Sequence, residues 1–530
     1  MKKITAIALA ALLMAACTVA PKTTLCVNPL TYTDIPDPDI IRVGDDYYMV
    51  STTMYFCPGA PIMHSRDLVH WSIVSYVYDC LEDDDVYNLR NGRQAYGKGQ
   101  WAASLKYHDG EFYALFIAND QARTYIYHTS DITSSNWDRY VIDRPFHDSG
   151  LLFEDGRVYV AWGNRNIYLT ELEPDFSGVR SEDRLLFSTP QGYMLGDEGA
   201  HFYHIGDYYY ILTINWPFGG VRTETCWRSD SIYGPYEPMD ILKGAFDGRG
   251  DGVAQGGIID TPAGDWYAVM FQDHGAVGRI PTLQPLTWVD GWPILGDNGV
   301  PVKEFEVNLP PYGADYVWDS DEFDSDRLAL VWQWNHKPLD GKWSLTENPG
   351  HLRIAASPAT GLFDARNVLT QRTVGPACES SVLLDVSGLL PGDHAGICAF
   401  QSHFCAIEVE CGEDGCSLVG RDFEGEIFRT PLESDKLILR ISYDFTSDTA
   451  KMSYSYDGQD WTTPDYTLQM RYTLDFFTGY RTALYCYHIP TVMAGTAAAD
   501  TTDFDPAAST TSGNGGYADF DWFHQSWTEL

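Results

Sequence analysis

Three acidic residues, Asp37, Asp148 and Glu198, each stand ten positions ahead of the first member of a Tyr-Tyr or Val-Tyr pair, at Tyr47, Val158 and Tyr208. Carboxylates that converge in an aromatic-rich pocket, without the spacing of a metal signature, suit hydrolysis of a glycosidic bond. That reaction needs one carboxylic acid to protonate the leaving oxygen and a second carboxylate on the other face of the sugar. If the second group activates a water, the configuration inverts. A third acid has a physical use, because its charge raises the pKa of a neighbouring acid and keeps it protonated. The rival chemistry for three carboxylates is a hard cation such as calcium, but calcium ligands cluster on one loop. These acids are spread over more than 160 residues.

The acids belong to a phrase that recurs five times: a polar residue, an apolar stretch, a tight turn and paired aromatics. It reads DPDIIRVGDDYY from Asp37, AASLKYHDGEFY from Ala102, DSGLLFEDGRVYV from Asp148, EGAHFYHIGDYYY from Glu198 and QGGIIDTPAGDWY from Gln255. Several copies run on into a second hairpin, as in HSRDLVHW from His64 and RSDSIYGPY from Arg228. The copies lie about 50 to 65 residues apart, slightly longer than a propeller blade of roughly 40–50 residues. Short runs of Val, Ile, Tyr, Phe and Thr between Gly, Asp and Pro turns read as strands. Five four-stranded units repeated radially predict a five-bladed β-propeller over residues 28–308, with the first strand of each blade lining a channel. Asp37 and Asp39 are two apart and share a face in a strand, so only the common ten-residue offset selects Asp37. Asp197 is expected to face away from its neighbour Glu198.

Beyond the linker NLPPYGADYVW the phrase does not recur. Residues 318–527 carry many short alternating strands and predict a second all-β domain, a sandwich. The stretch GTAAADTTDFDPAASTTSGNGG, poor in bulky residues, reads as an exposed loop. A formal net charge of -39 excludes nucleic acid as a partner, since nothing would neutralise phosphates. Sixteen Trp and 34 Tyr suit the apolar faces of sugar rings, beside their ordinary role in sheets and cores. Trp101 is a candidate to stack on a sugar, Arg279 to hold a sugar hydroxyl and tune a carboxylate, and Phe56 and Trp216 are further candidates for sugar contact.

Lys2 and Lys3 precede an apolar run from Ile4 to Ala16 that is too short to span a bilayer and reads as a signal peptide over residues 1–17. Its ending, LLMAAC, resembles a bacterial lipoprotein box with Cys17 as the lipidated residue. An exported lipoprotein, periplasmic or at the outer membrane or cell surface, is the expectation, with plain secretion as the alternative. The eleven cysteines fit no metal signature, and Cys411 with Cys416 is the one close pair. One or two disulfides are compatible with an oxidising compartment. The sequence sets no oligomeric state.

Taken together these segments resemble glycoside hydrolase family 43, the five-bladed arabinofuranosidases and xylosidases. DIPDPDIIRVGDDYYMVSTT resembles the family's opening motif, which makes Asp37 the general base. HDSGLLFEDGRVYVAWG resembles the segment with the pKa-modulating acid, here Asp148. GDEGAHFYHIGDYYYILT resembles the segment with the general acid, here Glu198, and the family's active-site arginine falls on Arg279. DEFDSDRLALVWQWNH and DFDWFH look like the concanavalin-type (jelly-roll) sandwich fused to xylosidase-like members. Gln255 stands where many members carry a His that helps hold a central water or calcium, so the resemblance implies no required cofactor here and leaves calcium doubtful. WAAS in place of WAPD, with Gln255, points to a subgroup rich in arabinofuranosidases. The implied activity is exo-acting, inverting release of terminal α-L-arabinofuranosyl units from a hemicellulose-derived oligo- or polysaccharide. A β-D-xylosidase with the same residues is the nearest alternative. A non-catalytic glycan-binding lipoprotein and a purely structural propeller are the others.

Overall fold

The computed structural model describes residues 22–246, 248, 251–490 and 515–528. The leader with Cys17 and residues 495–514 of the small-residue stretch lie outside the described residues.

Five small antiparallel sheets form the blades of a propeller. Their inner strands are Asp39–Val43, Gln100–His108, Gly150–Glu154, Tyr193–Ile205 and, in the fifth blade, the broken pair Val253–Ala254 and Ile258–Asp260. The second strand of a blade has neighbours on both sides and packs on both faces. Hence Glu111–Ala118 is buried at nearly every position, with half-buried Glu111 and Tyr113 as exceptions, and reads in sequence as an apolar run. Outside the blades, Thr24–Val27 pairs with Glu304–Val307 and joins the two ends of the ring.

The second domain packs a seven-stranded sheet on a nine-stranded one. In the seven-stranded sheet Ala377–Asp385 and Lys436–Asp444 alternate, sending every second residue into the core, whereas Asp393–Phe400 and Arg481–His488 of the nine-stranded sheet are buried throughout. Cys411 and Cys416 form a disulfide across the hairpin of Cys405–Gly412 and Gly415–Asp422. One strand of the nine-stranded sheet comes from the propeller: Phe56–Cys57, in a loop of blade one, pairs with Gln333–Asn335. A single hydrophobic cluster runs from Tyr55, Tyr87 and Phe116 of the propeller through Trp334 and Tyr480 to Phe520 of the sandwich. The sandwich thus sits on the face of the propeller where the inner strands begin, over blades one and five and the start of blade two.

Candidate active site

The inner strands start on that face, and their starts set the site. Val43 pairs with Asp46, His108 with Glu111, Glu154 with Arg157 and Ile205 with Tyr208 at the end of each first hairpin. Stepping back equally from these anchors reaches Asp37, Ala102, Asp148 and Gly199. The ten-residue offset therefore placed Glu198 one residue out of register. Its blade turns at Gly-Asp, with Tyr208 still in the turn pair, so the aromatics begin one residue early. Asp37, Asp148, Gly199 and Gln255 all have left-handed backbone, at φ 50, 45, 63 and 56. Glu198 precedes this position, as do Trp101 and His147 in their blades. Ladder irregularities on both sides of Glu198 turn its side chain into the channel.

Both tiers of starting residues except Gly199 line one cavity of about 230 Å³, together with Asn164, Leu195, Ile214, Arg222, Arg279 and, from the sandwich, Leu474 and Phe477. A drug-sized ligand takes roughly 300–1,000 Å³, so this space suits a single sugar ring. Asp37 is buried at its base. Thr52 donates to its Oδ2 at 2.6 Å, and the Arg279 guanidinium bonds its Oδ1. Burial, with the charge of Asp148, pushes the Asp37 carboxyl above its ordinary value, against the pull of Arg279 and Thr52. Arg279 is clamped between the rings of Phe271 and Phe477, 4.5 and 4.0 Å from their centroids, and its Nε donates to Asp273 at 3.1 Å.

On the other side of the channel Asn164 donates to Glu198 Oε2, and His147 Nε2 lies 3.4 Å from the same oxygen and 3.8 Å from Asp148. Burial, and then the charge of Glu198, raise the Asp148 carboxyl; His147 and Arg279 oppose them. In return the charge of Asp148, joined by Glu198, outweighs burial and pushes His147 up to about 9. His147, Asp148 and Glu198 present ligand atoms within 4.8 Å of one another. They do not fit calcium, which takes six to eight oxygens. Two carboxylates, an imidazole pushed toward its protonated form and an Asn164 that offers N–H to Glu198 make a hydrogen-bonded ionic cluster instead.

The neighbouring acids have other work. Asp39 is fully buried; it accepts from the backbone N–H of Leu105 at 2.7 Å and meets His201 at 3.0 Å. Asp197 faces into its own blade and accepts from Thr189, Thr213, Asn215 and Trp227. Trp101 is at the pocket, edge-on to His147 and Phe477, and its buried indole N–H has no partner. Gln255 lines the floor, its backbone N–H held by Glu224 at 2.7 Å. Phe56 is not there: it is buried in the domain junction with Arg481 over its ring at 3.7 Å, because its strand completes the sandwich sheet. Trp216 stands just outside the lining and stacks on Arg222 at 4.8 Å. Sequence reading missed His147, Asn164, Arg222, Leu474 and Phe477. The signal for His147 was its place one residue before the repeat position, which it shares with Trp101.

This pocket sits in a chain whose residues 26–293 match the family model described as Glycosyl hydrolases family 43. The chain belongs to glycoside hydrolase family 43. Residues 320–505 of this family 43 enzyme match the model of a Beta xylosidase C-terminal Concanavalin A-like domain. A Beta-xylosidase of Formosa agariphila is 30% identical over 502 residues, which cover 82% of this chain and 83% of that protein. A non-reducing end alpha-L-arabinofuranosidase of Bacteroides ovatus is 32% identical over 348 residues, 62% of this chain and 64% of that one. A solved structure described as a bifunctional GH43-CE of Bacteroides eggerthii superposes with a TM-score of 0.85 at 38% identity over 96% of this chain, which spans 64% of that longer chain.

Proposed function

We propose that this glycoside hydrolase is exo-acting and inverting, and that it releases terminal α-L-arabinofuranosyl residues from hemicellulose-derived glycans. The observation that carries this reading is the small pocket, about 230 Å³, with Asp37 on blade one and Glu198 on blade four, across the channel from each other. Asp37, held by Thr52 and Arg279, takes the proton of the attacking water. Glu198, held by Asn164, gives its proton to the leaving oxygen. Asp148 stands beside Glu198, with carboxylate oxygens of the two within 4.8 Å of each other, and orients it. Leu474 and Phe477 line the pocket from the sandwich and limit its volume to that of about one sugar, which supports action at chain ends. Arabinofuranosidase is favoured by Gln255 and the WAAS segment. The names of the Formosa agariphila and Xylanibacter ruminicola relatives, a Beta-xylosidase and a Putative beta-xylosidase, favour β-D-xyloside as the second reading.

Hydrolysis of aryl α-L-arabinofuranoside and aryl β-D-xyloside decides between them, and proton NMR of the first anomer released reads inversion. Glu198→Gln and Asp37→Asn are expected to lose about 10²–10⁴ in kcat. Asn keeps the left-handed backbone that Asp37 occupies, so its loss reports chemistry rather than folding. Wild-type rates in both variants would remove the assignment. We also infer, from the LLMAAC leader, a lipid anchor on Cys17 of an exported protein. Metabolic labelling with palmitate is expected to mark the wild type and to miss Cys17→Ala.

A further inference from the structure

We propose that the outward extension of the blade-four hairpin, with Leu195, Trp216 and Phe218 on one face, is a platform for the sugar on the leaving-group side of the scissile bond. The proposal rests on the glycosidase reading above. The first two strands of blade four are 13 and 10 residues long, while the inner strands of blades one and three have 5 each. The extra length projects past the blade at the mouth of the pocket. Leu195 lines the pocket and lies opposite Trp216 in the ladder, so the two share a face. Phe218 follows two residues later. Its N–H donates to Gly192 O at 2.9 Å, which carries the pairing one step beyond the strand and returns Phe218 to the same side.

This face is exposed yet rigidly held. Phe218 is 69% exposed, more than any other large apolar side chain among the described residues. Arg165 donates to the carbonyls of Tyr193 and Met194 at 2.8 and 3.0 Å, Trp216 Nε1 donates to Gly220 O at 3.0 Å, and buried Arg222, paired with Asp273, backs the Trp216 ring. Isolated surface aromatics need no explanation, but a braced row that runs into a pocket does. The occupant follows from the chemistry. The general acid must touch the leaving oxygen, and Glu198 stands on this same hairpin. The sandwich covers blades one and five and the start of blade two, with Phe477 reaching over Trp101 and Arg279. The leaving sugar therefore extends from Glu198 toward the uncovered side of blades three and four, over the Trp216 and Phe218 rings. Stacked aromatics suit a neutral pyranose.

The test compares kcat/KM for the methyl pentoside with that for the same pentose borne on a xylo-oligosaccharide, run in both the α-L-arabinofuranosyl and β-D-xylosyl series. Phe218→Ala is expected to lower the oligosaccharide-to-methyl ratio about tenfold, and Phe218→Tyr to hold it within about twofold. In a Glu198→Gln background, calorimetric affinity for the oligosaccharide is expected to fall by a similar factor on Phe218→Ala. An unchanged ratio and affinity would overturn the platform, as would a change of oligomeric state in Phe218→Ala without a change of ratio, which makes the face a protein contact. Wild type that turns over neither substrate overturns the proposed pentoside specificity of the site, and the platform with it.

Discussion

The chemistry of the pocket comes down to which charges touch which carboxylates. Arg279 bonds Asp37 and is itself locked between Phe271 and Phe477. It pulls the Asp37 carboxyl down while burial pushes it up. A base must be ionised, so activity is lost as pH falls through the Asp37 pKa. Arg279→Gln removes the downward pull, and the acid limb of kcat/KM is expected to move up by about 1–3 pH units, beside any loss in rate. A limb that stays in place would show that Arg279 does not govern the base. All three acids stand out in the sequence through their common ten-residue offset and through segments that resemble a family's motifs; in register the equivalent of Asp37 and Asp148 is Gly199, one residue after Glu198. Phe477, Leu474 and Arg222 were invisible. The first two come from a domain whose own pattern says only that it is a sandwich, and Arg222 lies in a loop between strands with no repeat counterpart.

At the level of elements, the left-handed residue at the blade starts is the hinge on which the site turns. In blades one and three that residue is itself the acid; in blade four it is glycine, and the acid moves one place back. A Cβ on Gly199 would run into the Gln255 side-chain amide, and φ 63 disfavours any L side chain. Gly199→Ala is expected to cost about 1–2 kcal/mol of stability and to lower kcat at least tenfold by swinging Glu198 off the leaving oxygen. Denaturant unfolding and steady-state rates check both; a variant with full kcat would show that Glu198 tolerates a shifted backbone. The blades were legible because each first hairpin keeps its two-sided burial and its turn. The extension of blade four was not, since YMLGDEGA and TINWP carry no periodicity that separates a projecting ladder from a loop.

For the molecule as a whole, the two domains are one folding unit. They share a sheet through Phe56–Cys57, a core through Tyr55, Trp334 and Tyr480, and a pocket through Leu474 and Phe477. Thr33 donates to Thr373 O at 2.6 Å and Arg372 to Asp34 O at 3.0 Å across the same junction. Calorimetry is therefore expected to show a single thermal transition, and a chain cut after about residue 310 to be insoluble or inactive. Two separated transitions, or an active isolated propeller, would contradict this. The borrowed strand also has a consequence in time. Phe56 and Cys57 are made early, but their partner Gln333–Asn335 emerges only after the whole propeller. At roughly 5–20 residues per second, blade one waits tens of seconds with a bare strand edge. Blade one is thus completed last in biosynthesis, when the first strand of the sandwich arrives to cover its edge.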